Sequence, residues 1–242
     1  MKKTLPLKPF KLRLKLFLTN IYDSKRYQTP CNICGGNKFF RGPNSRLSIT
    51  NQYPWCLNCL SLERHRGLRL LWEKLPKGFL KSKNALQFSE EPTVDSEWFN
   101  KHLISVYGGN NSLDVQNIDY KDEVFDIVIC NQVIEHVPDD KKAIKELLRV
   151  TKKDGFVQMS VPYPMQLAKT IDWGYPKESD HGHYRNYGKD INLLLDELVG
   201  KDCWKEIVVT DPVTIAQDYI YILCHSKKVL SSVLSQFKIS ES

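Results

Sequence analysis

Hydrophobic positions along the chain fall into two regimes. Between residues 30 and 62 apolar residues are sparse. Gly35, Gly36, Gly42, Pro43 and Pro54 punctuate this stretch, which predicts turns with little core of their own. From residue 84 onward, strand-like apolar runs alternate with helical periodicity. Asn84–Phe88 predicts a strand, and residues 95–102 a helix leading into a second strand over 103–107. FDIVIC at 125–130 is a near-continuous apolar run, as expected of a strand buried on both faces. Asp139 and Asp140 stand where they can cap a helix running to Thr151, with Ile144, Leu147 and Leu148 on its inner face. Asp154-Gly155 predicts a turn into a strand over 156–161, residues 191–198 a helix, and EIVVT and YIYILCH a closing pair of strands. This order predicts an α/β fold whose sheet is mostly parallel with an antiparallel last strand. Between the two regimes, residues 63–75 read as a helix burying Leu68, Leu71, Trp72 and Leu75.

The front of the chain differs from both. Phe10, Leu14, Phe17, Leu18 and Ile21 fall at helical spacing, whereas residues 11–18 also alternate basic and apolar as a strand would. Residues 1–29 therefore form a basic amphipathic lead-in. It either packs on the protein's own body or, through residues 1–22, makes peripheral contact with a membrane. Lys11, Arg13 and Lys15 interrupt its apolar residues, against a secretory signal, and no run approaches the roughly 18 apolar residues of a spanning helix. A cytoplasmic protein is the expectation. The formal charge of +7 is concentrated here, with eight basic residues ahead of the first cysteine. Such a segment suits nucleic acid, anionic lipid or an acidic glycan, or serves only as a solubilising tail.

The cysteines change the picture of the turn-rich stretch. Cys31-x2-Cys34 is followed after 21 residues by Cys56-x2-Cys59. Two such turns let four thiolates converge tetrahedrally on one Zn²⁺, and with all four positions filled by protein the metal is structural. In a segment so poor in apolar residues, metal binding supplies much of the folding free energy. Residues 30–75 are thus read as a zinc-binding, zinc-ribbon-like module and its linking helix. Cys130, Cys203 and Cys224 lie in apolar runs and read as packed core thiols.

Residues 113–162 carry a further signal: Asp114, the FDIVICN strand, Glu135-His136-Val137, the Asp139-Asp140 cap and Gly155. This block resembles the class I methyltransferases that use S-adenosylmethionine, in their type 11 branch. With CLNCLSLERHR at 56–66 and LQFSEEP at 86–92, it resembles a subgroup in which a four-cysteine knuckle precedes the catalytic domain. The resemblance implies a Rossmann-like domain over 80–228, followed by a tail over 229–242. It assigns cofactor contacts to Glu91, Asp114, Val115, Asn131, Gln132 and His136, with Asp114 accepting from the adenine amine and Glu91 facing the cationic amino group. Independently, Asn131 ends a central strand, where ligands of open α/β sheets bind. Two departures stand out. The turn after the first strand, Ser89-Glu90-Glu91-Pro92, lacks the glycine such turns commonly carry, and ISVYGGN offers no acid for the ribose hydroxyls.

For chemistry, Asp180-His181-Gly182-His183 offers His181 or His183 as a general base, oriented by Asp180. Two alternative readings of the same residues are a divalent-metal set and plain polar loop residues. His65, between two arginines, reads as packing the cysteine module or contacting an anion. The leading expectation is O-methylation of a sugar, a polysaccharide precursor or a small metabolite. Two rivals remain: an RNA or nucleic-acid methyltransferase gripping phosphates through the basic arm, and a non-catalytic zinc-stabilised binding module.

Overall fold

The computed structural model describes residues 23–109 and 111–239. The helical pattern of the lead-in and its membrane contact through residues 1–22 fall outside them. None of the helices among the described residues is long and apolar enough to cross a membrane. Two compact units are present. One holds the described residues up to Leu70 together with Thr210–Gln217, and the other holds Leu71–Val209 and the chain from Asp218 onward.

In the first unit, β1 (Ser24–Arg26), β2 (Lys38–Phe40) and β3 (Trp55–Cys56) form a small antiparallel sheet. Its core is Cys31, Phe39, Tyr53, Cys56 and Val213. Helix α1 (Glu63–Trp72) follows. His65 Nδ1 accepts from the Leu62 amide at 3.1 Å, so this histidine caps the helix start. The helix stops short of the expected residue 75 because Pro76 disfavours helical backbone before it. Pro76 then leads into α2 (Lys77–Lys81). The unit is tied together by Arg66, whose Nε and Nη2 donate to the two carboxylate oxygens of Asp211, each at 2.7 Å. Both side chains are fully buried. Arg66 Nη1 also donates to the Ser61 carbonyl, and its guanidinium lies over the Phe39 ring.

The second unit is built on a sheet in the order β10-β11-β7-β6-β4-β5. Strands β4 (Asn84–Phe88), β5 (Lys101–Ser105), β6 (Phe125–Asn131) and β7 (Thr151–Ser160) are parallel. β11 (Gln217–Leu223) runs antiparallel to β7, and β10 (Trp204–Thr210) flanks it. Along β7 successive side chains face opposite ways. Val157 and Met159 join the core beneath α3 (Asp140–Val150) and α4 (Ile191–Leu198). Phe156 points to the other face, where Trp72 packs on Phe99, Phe156 and Phe237 with ring centroids 6.0–6.3 Å apart. Asp139 caps α3 as expected, accepting from the Lys142 amide at 2.8 Å.

Several expectations are corrected. Residues 95–102 form only a one-turn helix over Ser96–Trp98, and β5 starts at Lys101 rather than 103. The pairing of Asn84 with Lys101 requires extended backbone there, and Phe99 is held by Trp72. Asp154-Gly155 is not a turn but an irregularity inside β7, opposite Asp126. A Cβ on Gly155 would stand 2.4 Å from the Asp126 carbonyl, so the glycine is there for close backbone approach. The expected tail over 229–242 begins instead as α5 (Lys227–Gln236), capped by Ser226 and buried through Leu230, Val233, Leu234 and Phe237. Of the three remaining cysteines, Cys130 and Cys224 are buried, whereas Cys203 is half-buried.

Removing one member of the buried Arg66–Asp211 pair strands the other charge. Asp211→Ala should lower the stability of the first unit by roughly 3–5 kcal/mol in urea denaturation. A second prediction concerns His102. Burial pushes its pKa down to about 4, and Ser96 Oγ meets its Nδ1 at 2.9 Å. The folded state thus takes up this proton at lower pH than the unfolded chain. The stabilisation is complete above the ordinary histidine pKa and is lost as pH falls towards 4. His102→Phe should flatten the fall of the urea midpoint between pH 7 and pH 4.5.

Candidate functional site

From β4, the next strand in sequence lies on one side and the one after it on the other. The connections therefore diverge between β4 and β6, and the crevice that open α/β sheets use for ligands lies beyond the carboxyl ends of these strands. Both strand exits take left-handed backbone on non-glycine residues, Ser89 (φ 67°) after β4 and Gln132 (φ 53°) after β6. The close turn that glycine usually serves is present without the glycine, a strain that clusters at functional sites.

Asn131 is 2% exposed and closes a polar network across these exits. Its Oδ1 accepts from Gln158 Nε2 at 2.7 Å and Ser160 Oγ at 2.9 Å, and its Nδ2 donates to Glu91 Oε1. Thr93 donates to the same Glu91 oxygen at 3.2 Å. Glu91 and Asn131, expected separately as cofactor contacts, are thus directly joined. Gln87 Nε2 holds the Ser89 carbonyl at 2.8 Å. Gln87 Oε1 and Gln132 Nε2 are buried with no hydrogen-bond partner among the described residues. Such orphaned amide atoms at a ligand crevice fit a bound polar group. Asp114 is exposed, and its Oδ1 accepts from the amide and side chain of Gln116 in its own turn. Val115 is buried in the core.

The histidines gather at a second edge. β8 (Ile171–Lys177) and β9 (His183–Asn186) form an antiparallel hairpin that hydrophobic patterning does not reveal. Arg185, 3% exposed, clamps it to the turn after β6. Its Nη1 donates to the carbonyls of Ile134 and Val137, its Nη2 to that of Pro138, and its Nε to Asp172. The turn Ile134–His136 thereby meets β9, and the rings of His136 and His183 lie edge to face at 4.6 Å. Burial, then the neighbouring His183, holds His136 below the ordinary imidazole pKa.

Asp180 does not touch either expected base. It pairs with Lys177 at 2.9 Å and accepts from Asn186 Nδ2 at 3.2 Å, while Asn186 Oδ1 meets His183 Nδ1 at 3.0 Å. The acid acts on His183 through an amide. His181 is exposed, with its ring centroid 5.9 Å from that of His183. Sequence reasoning did not foresee Arg185 or Asn186. Their signal is the polar spacing of DHGHYRNYG, in which Tyr187 also donates to Asp140 at 2.7 Å.

In the first unit the four cysteines converge. Cys31 and Cys59 Sγ lie 3.7 Å apart, Cys34 and Cys56 Sγ 3.6 Å, and all four sulfurs are within 4.8 Å of one another. Four thiolates on one zinc stand about 3.8 Å apart, so the donor set and its spacing fit that metal. Hydrogen bonds from Cys34, Cys56 and Cys59 hold the Cys31 thiol well below its ordinary pKa. The Gly36 amide points at Cys34 Sγ, and a Cβ on Gly36 would stand 2.9 Å from the Asn58 side chain.

Residues 99–159 match the family model described as a methyltransferase domain. No curated protein matches the chain. Solved structures similar to it include 1,6-didemethyltoxoflavin-N1-methyltransferase from Burkholderia thailandensis, bound to its substrate and S-adenosylhomocysteine (13% identity, 66% of this chain and 79% of that one, TM-score 0.46). An S-adenosylmethionine-dependent methyltransferase from Mesorhizobium loti is also similar (11% identity, 63% and 95%, TM-score 0.43), as is one from Thermotoga maritima (16% identity, 66% and 89%, TM-score 0.39). The mixed sheet, mostly parallel with an antiparallel last strand, is a Rossmann-like methyltransferase fold, and the chain also carries a small four-cysteine module.

The Ser89 turn gives a local test. Left-handed backbone costs a non-glycine residue about 1–2 kcal/mol, more than the 0.5–1 kcal/mol or so that glycine costs in chain entropy. Ser89→Gly should raise the thermal midpoint slightly and Ser89→Val should lower it, read by circular dichroism.

Proposed function

We propose that this chain is an S-adenosylmethionine-dependent methyltransferase acting on a hydroxyl of a sugar or another small metabolite. The observation that carries the reading is the joined Glu91–Asn131 pair at the point where the sheet's connections diverge, flanked by two strained exits and two orphaned amide atoms. The match of residues 99–159 to a methyltransferase domain supports it.

Glu91 suits the cationic amino group of the cofactor, and Asn131 fixes that carboxylate from below. The exposed Asp114 suits the adenine edge, whereas Val115 is committed to the core, and Gln132 and His136 follow on the same exit from β6. When bound, S-adenosylmethionine supplies a methyl group on sulfonium sulfur, open to in-line displacement. With an acceptor hydroxyl in place, His181, the exposed histidine of the hairpin, would take its proton as the methyl group leaves sulfur for the oxygen. The hairpin also presents Tyr175, 56% exposed, and the half-buried Trp173, apolar rings of the kind that pack against sugar faces. The four cysteines hold a structural zinc in this reading. Most of the basic arm that would favour nucleic acid lies outside the described residues, and its last two basic residues, Lys25 and Arg26, belong to β1.

Calorimetry with S-adenosylmethionine on the zinc-loaded chain should give one site, and Glu91→Gln or Asn131→Leu should weaken it at least tenfold. His181→Ala should keep that affinity and lose about 10²–10⁴ in turnover with the accepted glycan. A correctly folded, zinc-loaded chain with no affinity for the cofactor would overturn the enzymatic reading in favour of a binding module.

A further inference from the structure

We propose that Glu135, His136 and His183 form a divalent-cation site with open coordination positions for the oxygens of the methyl acceptor. This rests on the methyltransferase reading for its role, but not for its existence. The expected acid beside the histidines, Asp180, is turned towards Lys177 and Asn186. The acid that does reach them comes from the turn after β6. One potential ligand atom from each of Glu135, His136 and His183 lies within 4.8 Å of the others. Donors sharing a cation at 2.0–2.2 Å stand about 3–4.4 Å apart, so movements on the order of 1 Å close the set.

Three features separate this cluster from a chance grouping. Arg185 fixes the approach of the two elements by holding three carbonyls of residues 134–138 from within β9. The His183 imidazole carries the kind of outer hydrogen bond that metal-bound histidines use to fix their tautomer. Asn186 commits its Nδ2 to Asp180, so its Oδ1 accepts from His183 Nδ1–H and leaves the His183 Nε2 lone pair for a metal. Finally, Glu135 is fully buried and His183 is 9% exposed, whereas His136 opens to solvent. A ligand set of this kind is reached from one side only.

Two imidazoles and one carboxylate suit Mn²⁺, Fe²⁺, Co²⁺ or Zn²⁺ and leave positions vacant, unlike the closed four-sulfur set. Neighbouring hydroxyls of a sugar are the acceptor class that fills two such positions. The cation then lowers the pKa of the bound hydroxyl. His181 takes the proton, the oxygen–methyl bond forms, and the carbon–sulfur bond breaks to leave the thioether. No electron is transferred.

The test is Mn²⁺ titration of the zinc-loaded full chain, without cofactor, followed by electron paramagnetic resonance. Mn²⁺ is hard and does not displace zinc from four thiolates. One bound Mn²⁺ with nitrogen couplings from two imidazoles is expected. Glu135→Gln, His136→Gln and His183→Ala should each weaken it at least tenfold, with circular dichroism confirming their fold. Absence of any bound Mn²⁺, Co²⁺ or second zinc, or full retention in all three variants, overturns the site. Cofactor binding without a cation sinks this proposal alone. A bound cation without cofactor affinity leaves the site standing and removes its part in methyl transfer.

Discussion

Strand β6 is buried along its whole length, and a strand in that position can leave no polar group unsatisfied at either end. At its start, Asp126 accepts from the Asn84 amide at 2.8 Å and from Lys152 at 3.1 Å, and Lys83 stands 3.7 Å away. At its end, Asn131 is held by Gln158, Ser160 and Glu91. These two polar closures fix β6 against β4 and β7, and so fix where the crevice opens. The strained exits at Ser89 and Gln132 follow from the same constraint, because the chain must leave two adjacent parallel strands sharply and on the same edge.

The two units solve the small-core problem differently. The second buries a continuous apolar layer on one face of its sheet and an aromatic group around Trp72 on the other. The first has only a handful of apolar side chains. It depends on converging sulfurs and on the Arg66–Asp211 pair, in which Asp211 also accepts from Val213, Thr214 and the Thr214 hydroxyl. That carboxylate thus meets three donors besides the guanidinium, all of them within the first unit.

The candidate chemistry is divided in the same physical terms. Four soft sulfurs form a closed set suited to holding structure, whereas two imidazoles and a carboxylate form an open one suited to polarising oxygen. Arg185 is the hinge of the second arrangement. Its guanidinium satisfies the Ile134 carbonyl of a one-turn helix and the Val137 and Pro138 carbonyls just after it, and in doing so brings residues nearly fifty positions apart in sequence into one cluster.

Local chemistry made much of this legible. The apolar run of β6, the capped α3, the exact span of α4 and the paired cysteines are each fixed by periodicity, by a cap or by ligand spacing, which act within a few residues. Other features were not legible because they depend on partners distant in sequence. The missing helix before β5 was decided by pairing with β4, and the docking of α5 by the aromatic group around Trp72. Glu135, rather than Asp180, joins the histidines because Arg185 reaches across the fold to that turn. Residue pattern alone sufficed for the elements with strong local signals, such as β6, α3 and α4, and for the chemical groups they carry. Which of those groups meet emerges from the folded arrangement, because a side chain's partner is chosen by packing and by the satisfaction of buried polar atoms, and neither is written in neighbouring residues.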